Sequence, residues 1–110
     1  MAIKIYIDQG HNPENPNAGA EGNGLREQDI TYRVGKALAE RLRANGNFDV
    51  RESRPTPTVS LGSSNSTSLQ VRVRDANEWG ADYFISLHTN ASSNPAATGS
   101  EAFAYQQPSA

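Results

Sequence analysis

The stretch Tyr83-Phe84-Ile85-Ser86-Leu87-His88-Thr89-Asn90 decides the fold of this 110-residue chain. It is an aromatic and β-branched run without clean alternation, which predicts a strand buried on both faces inside a parallel sheet covered by helices. Ligands of such sheets lie beyond the carboxyl ends of the strands, and His88 stands at that end. A histidine there can equally be structural, with its ring bonded to a neighbour, and on this stretch alone that alternative stays open.

A second histidine follows a second predicted strand. The segment Ile3–Ile7 alternates isoleucine with other residues, a pattern typical of a β-strand. Gly10 lets the backbone turn sharply after that strand, so His11 emerges at the same kind of position as His88. If the two strands are parallel neighbours, the two histidines of the chain converge on one rim of the sheet.

The best helix signal runs from Arg26 to Ala44, where apolar residues recur every four positions. Glu27 lies in phase with Ile30 and Val34, which places it on the face that packs against the sheet. A buried carboxylate is costly unless a cation meets it, so Glu27 is a candidate ligand. The alternative is that Glu27 lies in a frayed first turn, exposed or paired with Arg26.

The remaining segments complete an α/β pattern. We predict a strand near an edge at Phe48–Glu52, a helix from about Ser68 to Trp79 and a last strand at Glu101–Tyr105. The apolar face of the second helix is predicted to comprise Leu69, Val73, Ala76 and Trp79, with Thr67 or a preceding serine as its cap and Gly80 as its end.

Two loops have a composition of their own. The segment 12–24 is rich in proline, glycine and asparagine, and it is long for a connection between a strand and a helix. It is either a wall of the site or a flexible surface excursion. The composition of the hydroxyl-rich segment 60–68 is typical of an exposed loop without chemistry.

The order of elements predicts an α/β fold with a mostly parallel or mixed sheet flanked by helices, in a single domain. A length of 110 residues allows one domain and not two. Because the chain ends abruptly for a sheet that should be covered on both faces, we expect the C-terminal part of the fold to be missing.

Composition excludes several classes of function. A net charge of -2, with scattered lysines and arginines, gives no case for a nucleic-acid partner. No apolar run reaches the ~20 residues of a membrane span, and the N-terminus lacks the pattern of a signal peptide, so we expect no membrane partner. Without cysteine there is neither a disulfide nor a thiolate metal site, so a metal must be held by His, Asp or Glu.

The donor set that remains is His11, Glu27 and His88. Two imidazoles and a carboxylate suit Zn²⁺ and leave a fourth position for water or substrate, as in catalytic zinc sites. The three residues do not have the spacing of a single helical motif, so they must be gathered from separate elements.

Several motifs occur in a characteristic order: Asp8-Gln9-Gly10-His11, Gly24-Leu25-Arg26-Glu27, Leu69-Gln70-Val71-Arg72 with Ala76-Asn77, Ala81-Asp82 through Ser86-Leu87-His88-Thr89-Asn90, and Gly99-Ser100-Glu101. This order resembles that of zinc-dependent N-acetylmuramoyl-L-alanine amidases, the cell-wall amidases of bacterial autolysins, spore-lytic enzymes and phage endolysins. The resemblance covers essentially the whole chain. It implies zinc bound by His11, Glu27 and His88, and hydrolysis of the amide bond between N-acetylmuramic acid and L-alanine in peptidoglycan.

The resemblance also implies that residues 1–110 are the N-terminal portion of the amidase catalytic domain. The catalytic glutamate of the family is then expected beyond Ala110, and the hydroxyl-rich loop between Leu61 and Leu69 looks like an insertion. Should the chain nevertheless be active, the next candidates for the base are Glu101, Glu14 and Glu21. The implied place of action is the cell wall, reached by secretion or by lysis.

Two other functions stay open on the sequence. One is a catalytically silent module that binds zinc and peptidoglycan, and the other is a metal-free α/β interaction domain in which both histidines are structural. The sequence leaves the oligomeric state open.

Overall fold

The structure, a computed structural model, describes residues 2–89. Its elements in chain order are β1 Ile3–Gln9, β2 Glu21–Gly22, β3 Leu25–Arg26, α1 Glu27–Asn45, β4 Phe48–Glu52, α2 Asn65–Trp79 and β5 Tyr83–Leu87. The predicted α/β class is confirmed for this part of the chain. The predicted strand Glu101–Tyr105 lies outside the described residues. In residues 2–89 no helix has the length and apolar character that crossing a bilayer requires.

β1 is the central strand of a three-stranded parallel sheet with the order β4-β1-β5. Ile5 is opposite Val50 on one side and Tyr83 on the other, and Asp8 is opposite Ser86. β2 and β3 form a separate antiparallel hairpin. Because β1 and β5 are parallel neighbours in this register, their carboxyl ends lie side by side, as the placement of the two histidines required.

The two helices contact opposite faces of the sheet. On the α1 face, Ile5, Ile7 and Ala39 form the buried core. Burying an isoleucine stabilises the fold by about 1.5–3 kcal/mol. On the α2 face, the ring of Tyr6 stacks on Phe84 at 5.4 Å, and its hydroxyl donates to Asp75 Oδ2 at 2.8 Å. The aliphatic core thus lies on the face that meets α1, and the face that meets α2 combines aromatic stacking with polar contacts.

The expectation that the stretch beginning at Tyr83 is a strand buried on both faces is wrong. Tyr83 is 62% exposed and Phe84 is 41% exposed, whereas Tyr6 and Ile7 in β1 have no exposed surface. The reason is position in the sheet. β1 has a strand on each side and a helix on each face, while β5 pairs within residues 2–89 only with β1.

The second helix begins earlier than predicted and presents a different face. Ser64 caps it through a reciprocal capping box with Thr67, and it ends at Gly80 in the left-handed conformation. Leu69 and Val73, assigned from the sequence to the buried face, are about half exposed. The buried residues recur at every fourth position: Ser68, Arg72 and Ala76. The polar contacts of Arg72 with the end of β1 turn this stripe inward.

The buried face of the first helix also differs from the prediction. Val34, used to set the phase of the buried stripe, is 51% exposed, and the buried positions include Thr31, Gly35 and Ala39. Glu27 is nevertheless buried with 8% exposure, so the alternative of a frayed, exposed first turn is wrong. A Cβ atom at Gly35 would lie 2.4 Å from the side chain of Gln9, which is why α1 and β1 can approach so closely there.

Candidate metal centre

Three side chains from three separate elements meet at the carboxyl end of the sheet. His11 follows β1, Glu27 is the first residue of α1, and His88 follows β5. The Oε2 atom of Glu27 lies 3.2 Å from His11 Nε2 and 3.5 Å from His88 Nδ1. One donor atom from each residue falls within 4.8 Å of the other two. The structure therefore brings together the three residues singled out from the sequence, and metal ligation by them stays a prediction.

The spacing of these atoms suits a small divalent cation. Zinc–nitrogen and zinc–oxygen bonds of about 2.0 Å in a tetrahedron place neighbouring donor atoms roughly 3.3 Å apart. The two separations from Glu27 fall on either side of that value. Two nitrogen donors and one oxygen donor are also the chemical set that catalytic zinc sites use. The residues present thus fit a zinc ion.

Gly10 makes room for this cluster, and its role differs from the predicted sharp turn. The residue with the left-handed backbone is His11, with φ of 71°. A Cβ atom at Gly10 would lie 2.5 Å from the carbonyl oxygen of Leu87 and 2.6 Å from His88 Cε1. The backbone N–H of Gly10 donates to that same carbonyl at 3.0 Å. Only glycine therefore lets the ends of β1 and β5 come close enough for the imidazoles to meet.

Glu27 is held as a carboxylate by its surroundings. Burial raises its pKa, but backbone N–H groups of Thr89 and Ala20 donate to it and, with His11 and His88, leave the pKa below its ordinary value. The N–H of Thr89 donates to Oε2 at 2.9 Å, and Oε2 is the oxygen that faces both imidazoles. Glu27 therefore carries its negative charge in the metal-free protein.

The imidazole nitrogens that point away from Glu27 also have partners. His11 Nδ1 lies 3.0 Å from Asn17 Oδ1, and His88 Nε2 lies 3.1 Å from Ser86 Oγ. Outer hydrogen bonds of this kind orient metal-binding histidines and fix which nitrogen carries the proton. The two rings themselves meet edge to face, with centroids 5.1 Å apart.

A buried arginine holds the segment of backbone that carries His11. Arg72 is 1% exposed and donates to Asp8 Oδ1 and Asn12 Oδ1, each at 2.8 Å, and to the backbone oxygens of Gln9 and His11. The sequence predicts no role for Arg72 or Asp8, although both lie within the motifs that resemble the family. The signal available in the sequence was a charged residue in line with Ser68 and Ala76 on one helical face.

The long loop 12–24 forms a wall of the site, which decides between its two interpretations. Asn17 contacts His11, and the backbone of Ala20 contacts Glu27. Asn12 anchors the loop from within, since its side chain donates to the carbonyl oxygens of Pro16 and Leu61. The segment around Leu61, interpreted from the sequence as free of chemistry, thus helps to hold the loop that follows His11.

Two acids named as substitute bases lie in this loop, and neither is paired with a histidine. Glu14 and Glu21 have side chains that are 80% and 67% exposed, and both form ion pairs with Arg26. Arg26 also donates to the carbonyl oxygen of Pro13. Glu101, the third acid named, lies outside the described residues.

Residues 5–110 match the protein family described as N-acetylmuramoyl-L-alanine amidase. The chain belongs to this amidase family. The resemblance drawn from the motifs is confirmed, and His11, Glu27 and His88 all lie within the matched residues.

Individual amidases show how much of the family the chain spans. It is 37% identical over 103 residues to the sporulation-specific N-acetylmuramoyl-L-alanine amidase of Bacillus subtilis, an alignment that covers 94% of this chain and 36% of that protein. It is 30% identical over 110 residues to the endolysin of Bacillus phage SPP1, covering 100% of this chain and 36% of the endolysin. The chain thus spans little more than a third of either relative.

Solved amidase structures share the fold. The crystal structure of N-acetylmuramoyl-L-alanine amidase from Clostridium difficile 630 superposes with a TM-score of 0.71 at 29% identity, covering 88% of this chain and 48% of that one. The parallel sheet and two helices of this chain therefore correspond to about half of an amidase structure.

Proposed function

We propose that this chain provides the metal-binding part of a zinc-dependent amidase that cleaves the bond between N-acetylmuramic acid and L-alanine in peptidoglycan. The observation that carries the proposal is the meeting of His11, Glu27 and His88 within 4.8 Å, in a chain of the amidase family. The names of its relatives supply the substrate class, since they include a sporulation-specific amidase and a phage endolysin. The site of action is accordingly the bacterial cell wall.

Each of the three residues has a distinct part in this proposal. Zinc, when bound, supplies a Lewis acid for the scissile carbonyl and activates water at neutral pH. His11 and His88 donate neutral nitrogen ligands, while Glu27 contributes the negative charge that offsets the cation. The half-exposed ring of His88 leaves one side of the cluster open to substrate, since its side chain is 42% exposed.

The test is metal content measured together with turnover. Protein purified without a histidine tag should contain about one zinc per chain, and chelation should remove it. The second measurement is the release of stem peptides from purified cell walls, with the metal-free protein as control. Protein that neither retains zinc nor takes it up would contradict the proposal and would favour a metal-free interaction domain.

A second candidate is a zinc- and peptidoglycan-binding module without hydrolytic activity. Within residues 2–89, the only acid paired with either histidine is Glu27, which the metal uses as a ligand. General acid/base catalysis by a further carboxylate is typically worth ~10²–10⁴-fold. Zinc-loaded protein that sediments with cell walls but releases no stem peptide would favour this candidate. Robust release by the 110-residue chain would exclude it.

A further inference from the structure

The two histidines face Glu27 through different ring nitrogens. His11 presents Nε2 to the shared carboxylate oxygen, at 3.2 Å, whereas His88 presents Nδ1, at 3.5 Å. A neutral imidazole has one protonated nitrogen and one lone pair, and only the lone pair can bind a metal. Each ring must therefore carry its proton on the outer nitrogen, so each ring requires a different tautomer.

Hydrogen-bond accounting at Ser86 decides the tautomer of His88. The Ser86 hydroxyl donates to Asp8 Oδ2 at 2.8 Å, and it has a single proton to give. Its oxygen can then only accept from His88 Nε2, which lies 3.1 Å away. Glu27 Oε2 also faces Nδ1, but at 3.5 Å it is too far for a good hydrogen bond, so the contact with Ser86 places the proton of His88 on Nε2 and leaves the lone pair on Nδ1.

The direction of this chain of hydrogen bonds is set in the protein interior. Asp8 is 3% exposed, and its other oxygen, Oδ1, accepts from Arg72 Nη1 at 2.8 Å. A carboxylate paired with a guanidinium has no proton to donate, so Ser86 has to be the donor. His88 thus donates to Ser86, Ser86 donates to Asp8, and Asp8 also accepts from Arg72.

We propose that Asp8 and Ser86 are positioning residues that hold His88 in the tautomer protonated on Nε2, which leaves Nδ1 free for the metal ion. The metal part of this statement rests on the proposed function. The tautomer itself is a property of the metal-free protein and can be measured there. Arg72 also holds the backbone of the other histidine, because its Nη2 atom donates to the backbone oxygen of His11 at 2.8 Å.

Asp8→Asn is the most informative test because it reverses the direction of these hydrogen bonds without changing the shape of the side chain. Arg72 can only donate, so it should hold the oxygen of the substituted amide and turn the amide NH₂ toward Ser86. Ser86 then accepts from that amide and donates to His88 Nε2. The proton of His88 should consequently move to Nδ1, the atom that faces Glu27.

The measurement is nitrogen-15 NMR of the imidazoles in metal-free protein, in alkaline buffer so that both rings are neutral. The chain has only two histidines, so the spectrum contains two rings, and His11→Gln assigns them. In the parent, Nε2 of His88 should give the signal of a protonated nitrogen. In Asp8→Asn, Nδ1 should give that signal instead.

Serine variants provide an independent readout if Asp8→Asn folds poorly. Ser86→Ala removes the acceptor and should leave His88 as a mixture of tautomers, while Ser86→Thr keeps the hydroxyl and should restore the parent spectrum. Ser53→Ala is the matched control, because Ser53 is a buried serine that binds the backbone N–H of Gln9 and contacts neither histidine.

Zinc affinity, measured by competition with a chelator, completes the test. Loss of an outer partner of a metal-binding histidine costs about 10–100-fold in affinity, which we expect for Asp8→Asn and Ser86→Ala but not for Ser86→Thr or Ser53→Ala. A parent protein with the proton on Nδ1, or an unchanged tautomer in both Asp8→Asn and Ser86→Ala, would overturn the proposal. A parent with the expected tautomer but no zinc binding would instead count against the proposed function alone.

Discussion

His88 Nδ1 lies 3.5 Å from Oε2 of Glu27, so the residue that follows β5 meets the first residue of α1. This contact joins elements of the candidate metal centre that lie far apart in the chain. A neighbouring residue supports it, since the N–H of Thr89 donates to the same oxygen of Glu27. Substitutions at this contact, and at the residues that pack against it, should therefore change metal binding.

Replacing His88 with Ala should abolish stoichiometric zinc binding. Two remaining protein ligands do not make up the three that catalytic zinc sites use. Isothermal titration calorimetry and metal analysis after dialysis measure the effect. Tyr83→Ala, at the far end of the strand that His88 follows and 62% exposed, is the control and should bind zinc like the parent. Full zinc occupancy in His88→Ala would remove His88 from the ligand set.

Glu27→Gln should weaken zinc binding and leave the protein folded. Glutamine keeps the shape of the side chain but removes the charge that offsets the cation, so we expect a loss larger than the ~10–100-fold typical of an outer partner. Competition with a chelator gives the affinity, and circular dichroism checks the fold. The control is Glu78→Gln, an exposed glutamate on α2. Equal affinity in parent and Glu27→Gln would show that the carboxylate does not contact the metal.

Gly10→Ala should lower both stability and zinc affinity. The added methyl group would lie 2.5 Å from the Leu87 carbonyl oxygen and 2.6 Å from His88 Cε1, so the ends of β1 and β5 must separate. Such overpacking costs about 1–3 kcal/mol in the free energy of unfolding. Urea denaturation with and without zinc measures both effects.

Gly22→Ala is the matched control for Gly10→Ala. A Cβ atom at Gly22 would meet nothing within 4 Å, so this variant should unfold at the same urea concentration as the parent or slightly higher. If the two variants behave alike, the close approach at Gly10 does not constrain the site.

The buried hydroxyl of Tyr6 should make the metal-free protein lose stability at alkaline pH. Burial raises the pKa of Tyr6 above its ordinary value, and the hydrogen bond to Asp75 raises it further. This contribution is complete below the unfolded-state pKa of about 10 and is lost as the pH rises toward the folded-state pKa, because the unfolded chain releases the proton first. The loss from one proton reaches at most about 1.4 kcal/mol per pH unit.

Urea denaturation from neutral to strongly alkaline pH measures this loss. Tyr6→Phe should flatten the profile while lowering stability at neutral pH by about 0.5–1.5 kcal/mol, the usual net value of a hydrogen bond. Tyr83→Phe, at an exposed position, should leave the profile unchanged. A Tyr6→Phe profile as steep as that of the parent would place the alkaline sensitivity elsewhere.

Within residues 2–89, the sequence by itself determined the order of the three sheet strands and the two helices, but not the hairpin of β2 and β3, and it singled out the three candidate ligands. Local patterns suffice for this because a period of two marks β1, a period near 3.6 marks α1, and a histidine follows each of β1 and β5. The expected burial of Glu27 also proved correct, although Val34, which helped to set the phase, points outward. A carboxylate at the start of an amphipathic helix was informative because burying it requires a cationic partner.

Only the tertiary structure decided which strand is central, which face of α2 is buried and what holds the imidazoles in place. The periodicity of α2 favoured an apolar face with Leu69 and Val73, yet Ser68 and Arg72 turn inward. Hydrophobic periodicity cannot anticipate this, because a buried arginine is stable only when its partners converge on it, here Asp8, Asn12 and two backbone carbonyls. Those partners come from β1 and the loop after it, far from Arg72 in the chain, so their convergence exists only once the helix lies across the end of the strand.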